Sequence, residues 1–555
     1  METERAVRQP GRTSRTAAVG APAALALALG LWGLDRGGMW RDEAASFQVA
    51  RRSVPQIWRL LHGVDAVHGL YYLLMHAVLA VRPDEVGLRL PSVCAAAVAA
   101  ALVAALGVRL VRPRAGLWAG LLYAVTPIAG HYAQEGRSYA MVAAGAAGAT
   151  LLLLRALAGR SWWPYGAVVA GTCLLHELAV LLLAAHAVTL ALTRVPGRVW
   201  RRWGCAAGAA AAVLAPLAVV SQRQSAQVSW LPVPDAHSWL RLARDFLGPT
   251  PVVFWGCVAL ALAGAWRSAA GRVALPLLVV PPVVLLTVSR VSPLYDERYV
   301  LYALAGAPLL VAAGADRVCS AAGRLAVRAA AVRAAAGRSS AAGRGSAAGG
   351  RWPGLRAALR SAGVALVGAA AVAAVLVHQV PLLRQDRVAA HRPDDLAAVA
   401  AVAAREMRSG DPVLYLPALV RRSALAYPGD FRHVRDLALA GPAARSGTLY
   451  GREVGAGALR RRLAGVRRLW VVADPYVLRS PRYPGDPVER LKVTAVEEDF
   501  VPWEPRREFV RGGVVLRLYV RRAGLACGGS RGRAHAVTVC GPVGAVRAVP
   551  RAPWG

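Results

Sequence analysis

The chain has 555 residues, 56% of them hydrophobic, with a mean hydropathy of +0.40 and a formal net charge of +36 at pH 7. A soluble protein of this length would be less apolar and would show amphipathic periods, whereas here Ala, Leu and Val blocks long enough to cross a bilayer recur through the first 383 residues. In such a chain the arginine excess reads as cytoplasmic loops and lipid headgroup contact, which sets nucleic acid aside as a partner.

Arg5, Arg8, Arg12 and Arg15 precede an apolar run over 17–34. Read as an uncleaved first span, it leaves 1–16 in the cytoplasm and brings Arg41-Asp42-Glu43 out on the opposite face. The next apolar stretch, 70–81, is too short for a crossing and reads as an interfacial helix within an outer loop, 35–90. Further spans follow over 91–108, 115–133, 138–157, 162–176, 178–193, 204–220, 251–266, 273–289, 299–315 and 361–383. The expected fold is therefore mainly α, a polytopic membrane protein with about eleven transmembrane helices.

This threading puts Arg109, Arg112 and Arg114, Arg155 and Arg160, Arg194, Arg198, Arg201 and Arg202, and Arg267 and Arg272 on the cytoplasmic side. Counting 70–81 as a crossing would invert all of them. The long first outer loop also carries Arg41, Arg51, Arg52, Arg59, Arg82 and Arg89, which a long loop tolerates and a phosphate-handling site would use. The segment 316–360, rich in Ala, Gly, Ser and Arg, reads as a flexible cytoplasmic loop between a membrane module over 17–315 and the last span.

Beyond 383 the pattern changes. Strand-like runs over 413–416, 469–472 and 514–520, and a helical run over 396–407 with Asp394 or Asp395 at its start, predict a small α/β domain over 384–522 on the outer side. Residues 523–555 are rich in Gly, Arg and Pro and read as a disordered tail. The seven cysteines form no CxxC pair, and Cys527 and Cys540 both fall in that tail.

Four polar clusters lie at span ends on one side: Arg41-Asp42-Glu43, Gln134-Glu135-Gly136-Arg137, His176-Glu177 and Tyr295-Asp296-Glu297-Arg298-Tyr299. Carboxylates at a membrane face are costly and call for partners or a function. Asp42 and Glu43 are adjacent, so on a helix their side chains diverge by about 100° and serve different atoms. One suits a base, the other a residue that orients a partner or a divalent metal. Arg298, flanked by tyrosines, suits a phosphate, as does Arg137. Each cluster alone also reads structurally, as a helix start, an internal ion pair, a turn or an interfacial anchor. His176 lacks a companion at metal-ligand spacing.

A membrane span, then Trp40-Arg41-Asp42-Glu43-Ala44, then Tyr71-Tyr72 opening a short apolar helix, then Leu88-Arg89-Leu90-Pro91-Ser92 resembles the protein O-mannosyltransferase and lipid A aminoarabinose transferase group. These are membrane glycosyltransferases of the C superfamily. Gln134 to Tyr139 is similar to that group's Glu-Ala-Arg-Pro-Tyr segment, and Glu297-Arg298-Tyr299 to its Glu-Arg-Tyr, so the likeness covers about 17–315. His68-Gly69-Leu70 stands where the group has Pro-Pro-Leu, and Gly136 and Ser138 replace Ala and Pro.

The resemblance implies transfer of a sugar, mannose or another hexose, from a polyprenyl-phosphate donor to a protein, glycan or lipid acceptor outside the cytoplasm, at a plasma membrane and with inversion. It implies Asp42 as base. Glu43 and Glu135 would position the acceptor or a divalent metal, no cofactor being certain. Arg137, Arg298 and Tyr299 would take the donor phosphate, with Asp65, His68, Tyr71, His176 and Glu297 as accessory or acceptor-side groups. The rival readings are a flippase for lipid-linked sugars, which would place ionisable residues at mid-span, and a non-catalytic membrane scaffold.

Overall fold

The computed structural model describes residues 12–228, 230–339, 353–388, 394–477, 486–503, 508–511 and 513–522. Helices dominate because a segment in lipid must satisfy its own backbone hydrogen bonds. The first span, α1 (Arg12–Leu31), leads into three short helices, α2 (Arg41–Ala50), α3 (Val54–Leu61) and α4 (Gly69–Val81). Asp42 and Glu43 occupy the first turn of α2, where negative charge suits the helix dipole. At 13 residues α4 is too short to cross. It buries Tyr71, Tyr72, Met75 and Leu79 and leaves Leu73, Leu74 and Val81 exposed, as an interfacial helix would.

The membrane module continues through α5 (Glu85–Leu110), α6 (Pro113–Val125), α7 (Pro127–Ala133), α8 (Tyr139–Leu157), α9 (Trp163–Leu175), α10 (Leu181–Leu192) and α11 (Gly197–Arg223). It closes with α12 (Ala236–Leu247), α13 (Pro251–Ala265), α14 (Ala269–Val288), a 3-10 stretch over Glu297–Ala305, α15 (Gly306–Ser339) and α16 (Pro353–Asp386). Among the described residues seven helices are long and apolar enough to span, and an eighth if α12 and α13, bent by 80°, count as one. The remaining predicted crossings are broken or short. The block 115–133 splits before Pro127, while the spans predicted over 162–176 and 178–193 are helices of 13 and 12 residues that part, as expected, at His176, whose backbone is extended.

The predicted loop over 316–360 is largely helix, because α15 runs on to Ser339 and α16 begins at Pro353. Alanine and arginine are both strong helix formers, so low complexity there does not mean coil. Residues 340–352 and the tail with Cys527 and Cys540 lie outside the described residues.

The C-terminal domain pairs β1 (Pro412–Leu416), β2 (Arg435–Asp436), β5 (Arg468–Ala473), β6 (Phe500–Pro502), β7 (Glu508–Arg511) and β8 (Val514–Arg521) in one mixed sheet of order β2-β1-β5-β8-β6, with β7 also on β8; β3 (Leu439–Gly441) and β4 (Arg452–Glu453) form a separate ribbon. Helix α17 (Leu396–Glu406) covers one face, and a helix over Pro487–Asp499 the other. Asp395 caps α17 by accepting from the Ala398 amide at 3.2 Å. Its neighbour Asp394 instead pairs with Arg41 at 2.7 Å.

That ion pair is one of several ties between the domain and α2. The Leu396 amide donates to the Met39 carbonyl at 3.1 Å, and the Tyr427 hydroxyl accepts from the Met39 amide at 2.9 Å. Leu396 and Ala426 share one core with Met39, Ala44 and Phe47. The domain is therefore seated on the end of the bundle that carries Asp42.

Within the bundle, glycines set the closest helix contacts. A Cβ at Gly264 of α13 would strike the Leu310 carbonyl of α15, and one at Gly314 would strike the Leu260 carbonyl. Gly314→Leu is expected to separate α13 from α15 and lower the melting temperature of detergent-purified protein by several degrees. Gly323→Leu, with open space around it, should leave the melting temperature unchanged.

Candidate active site

The site is built on a buried ion pair. Arg89, near the start of α5, donates through Nε and Nη2 to the two oxygens of Glu43, both at 2.7 Å, and the two side chains are 0% and 1% exposed. The same guanidinium donates to the Leu34 and Gly38 carbonyls at 3.1 Å, which fixes the path from α1 to α2. Glu43 Oε1 also accepts from the Gly136 amide at 2.9 Å. A Cβ at Gly136 would collide with Leu88, so glycine here lets the 134–138 loop press onto α5. Gln134 ties that loop to α1 through the Gly30 and Trp32 carbonyls, at 2.8 and 2.9 Å.

Asp42 projects the other way. Its Oδ2 accepts from Arg298 Nη1 at 2.9 Å, and its side chain keeps 25% exposure against 10% for Arg298. Asp296 Oδ2 lies 3.3 Å from Arg298 Nε, which has no hydrogen-bond partner. The guanidinium also sits 5.6 to 5.8 Å from the ring centres of Trp40, Tyr139 and Tyr299. His176, at the break between α9 and α10, lies 4.8 Å, centre to centre, from the Tyr299 ring.

Arg137 donates to Ser46 Oγ at 3.1 Å and to His68 Nε2 at 2.6 Å. His68 is therefore neutral with its proton on Nδ1. Asp65 accepts from the Tyr72 hydroxyl at 2.9 Å, and burial raises its carboxyl above the usual range. The structure thus gathers Asp42, Glu43, Asp65, His68, Tyr71, Glu135, Arg137, His176, Arg298 and Tyr299 at one end of the bundle. Glu297 has no hydrogen bond or ion pair to this group among the described residues; its charge bears on Asp245, Tyr295, Asp296 and Tyr132.

Many polar atoms here are buried without partners: Tyr71 Oη, Ser138 Oγ, His68 Nδ1, His176 Nδ1, Arg137 Nε and both Glu135 oxygens. Such a density of orphaned groups marks a chamber made to receive a polar ligand or ordered water. Burial pushes the Glu135 carboxyl up to about 7, against the pull of His131 and Arg298. Among the described residues no three His, Cys, Asp or Glu side chains converge as a metal site. Beside the chamber, an apolar cavity of about 400 Å³ runs between α3, α4 and α11, lined by Trp58, Leu61, Ala66, Leu73 and Leu217.

Sequence reasoning singled out neither Arg89 nor Ser46 as a working residue. The signal for Arg89 was present, since a cation at the head of an apolar helix needs a partner.

The model of the dolichyl-phosphate-mannose-protein mannosyltransferase family matches residues 69–221. No curated protein matches the sequence significantly. Among solved structures, apo ArnT from Cupriavidus metallidurans superposes with a TM-score of 0.56 at 15% identity, over 91% of this chain and 98% of that one. The chain therefore shares the fold of ArnT. ArnT bound to undecaprenyl phosphate matches with a TM-score of 0.52 at 16% identity over the same shares. Arabinosyltransferase EmbB from Mycobacterium smegmatis overlaps less, with a TM-score of 0.36 at 20% identity over 56% of this chain and 31% of that one. The match to ArnT extends over the C-terminal domain as well as the membrane module.

Two consequences are testable in purified protein. Arg89→Met leaves the Glu43 carboxylate buried and uncompensated, an expected loss of about 3–5 kcal/mol, most of which Glu43→Leu/Arg89→Met should recover. A double-mutant cycle in thermal unfolding measures both. Glu135 binds its proton more tightly folded than unfolded, so its contribution is present below about pH 4.5 and is lost as pH rises through about 7. Glu135→Gln removes that loss, and its melting temperature should exceed wild type by a margin that widens from pH 5 to pH 8.

Proposed function

We propose that the chain moves a sugar, mannose or another hexose, from a polyprenyl-phosphate donor to an acceptor hydroxyl on the extracytoplasmic face of the plasma membrane. The observation that carries this reading is the Asp42–Arg298 pair at the mouth of a chamber of orphaned polar atoms, beside an apolar cavity. The cavity offers a bed for a polyprenyl chain, and the chamber a seat for its phosphate and sugar. A lipid-linked sugar arrives with its own leaving group, so the site needs cations for developing phosphate charge and a base for the acceptor.

In this reading Asp42, a quarter exposed, takes the acceptor proton as the acceptor oxygen attacks the sugar carbon. The bond from that carbon to the phosphate oxygen breaks on the opposite face, which inverts the carbon. Arg298 and Arg137 hold the departing phosphate, each having a buried Nε without a hydrogen-bond partner. Phosphate competes with Asp42 for Arg298, so donor binding loosens the ion pair that would keep Asp42 a poor base. Tyr299 and His176 wall the Arg298 side, and Asp65, His68 and Tyr71 the Arg137 side. Glu43 has its oxygens committed to Arg89 and Gly136, so its part is to position the loops and not to touch substrate. Glu135, with both oxygens free of protein partners, suits a sugar hydroxyl.

The acidic groups cluster at span ends, which favours this chemistry over passage of a lipid-linked sugar through the bundle. With membranes given radiolabelled polyprenyl-phosphate mannose and an envelope acceptor, Asp42→Asn is expected to cut transfer about 10²- to 10⁴-fold. It should bind polyprenyl phosphate at least as tightly as wild type, because Arg298 is then released. Equal transfer by both proteins would remove Asp42 from the mechanism.

A further inference from the structure

One buried arginine has no acceptor among the described residues. Among the described residues, Arg52, Arg89, Arg137, Arg387 and Arg421 each donate to a carboxylate, carbonyl, amide, hydroxyl or ring nitrogen. Arg422 is 7% exposed, makes no hydrogen bond or ion pair among these residues, and has a fully buried, unpartnered Nε. Next to it Ser423 is 0% exposed, with its Oγ also unpartnered. Leaving a buried guanidinium uncompensated is strongly unfavourable unless an anion completes the site.

The surroundings say where that anion would sit. Arg422 opens α18 (Arg422–Ala426), which packs on α2 through Ala426 against Ala44 and Phe47. Arg421 is held by Asp436 and Glu453, both at 2.6 Å, and grips the Tyr450 carbonyl at 2.8 Å. The Tyr450 phenol in turn lies within electrostatic reach of Arg422, Asp65, Asp42 and Arg41. Arg422 therefore borders the Asp42 chamber from the C-terminal domain, opposite the membrane module that supplies Arg137 and Arg298.

We propose that Arg422, with Ser423, forms an anion-binding site in the roof of the chamber that takes a phosphate or carboxylate carried by a substrate. A guanidinium with free donors is suited to two oxygens of one such group. The group comes either from the lipid-linked donor or from an acidic acceptor, and for that choice the proposal rests on the glycosyltransferase reading. The anion site itself rests only on the geometry of Arg422.

The test uses purified full-length protein and two probes, farnesyl phosphate and inorganic phosphate, with farnesol as the uncharged control. Binding is measured for wild type, Arg422→Met and Arg422→Lys. Arg422→Met should raise the apparent Kd of a phosphate-bearing probe tenfold or more, and Arg422→Lys about threefold, with farnesol unchanged. Without anion, Arg422→Met should melt at or above wild type, since it removes an uncompensated charge. Should the methionine variant not fold, the lysine variant carries the test. Weakened farnesyl phosphate binding assigns the site to the donor. Weakened inorganic phosphate binding with farnesyl phosphate unchanged assigns it to a second anion, from the acceptor. Wild type that binds inorganic phosphate through Arg422 but ignores farnesyl phosphate would keep the anion site and sink the proposed donor. Wild type that binds neither probe, or variants within twofold of wild type for both, would overturn the proposal.

Discussion

The Glu43–Arg89 pair holds one end of the helical bundle in register. It joins α2 to α5, stitches the 34–38 connection to the same guanidinium and receives the 134–138 loop through the Gly136 amide. In bulk water such a pair would be worth little, but here both partners are shielded from solvent and every strong donor has an acceptor. A charge pair in this setting contributes less to net stability than to uniqueness, because any other packing of the loops would strand one of the charges.

With that scaffold fixed, the divergence of adjacent helical side chains does the rest. Glu43 turns in to Arg89, and Asp42 turns to Arg298, so one dipeptide links both the first transmembrane helices and the late segment at 296–299 to the same helix. The chamber walls then come from elements far apart in sequence: α2, the 134–138 loop, the break at His176 and the 3-10 stretch at Glu297–Ala305. The C-terminal domain adds a roof, locked onto α2 by Arg41–Asp394 and by a shared apolar core.

Much of this was legible in the sequence. Hydropathy located the apolar blocks, the short 70–81 segment declared itself by length, and alternating apolar runs located the central strands of the C-terminal sheet. Polar clusters at span ends pointed to the residues that the structure gathers around Asp42. The misses have physical causes. Hydropathy counts apolar residues and does not see that Pro127 breaks the 115–133 block into shorter helices, whereas the break at His176 was legible from the His176-Glu177 pair. Low complexity suggested coil at 316–339, where alanine and arginine build helix. Gly136 showed in the sequence only as a replacement for alanine, yet it permits the close approach to Leu88. Arg89 and Ser46 act through contacts 46 and 91 residues away in the chain, which no local pattern encodes.

The most direct measurement is a structure of the full-length protein with bound polyprenyl phosphate. The account predicts phosphate density within hydrogen-bond reach of Arg298 and Arg137, the lipid chain in the apolar cavity along α4, and a lengthened Asp42–Arg298 contact. Phosphate bound away from both arginines, with the Asp42–Arg298 contact unchanged, would contradict it.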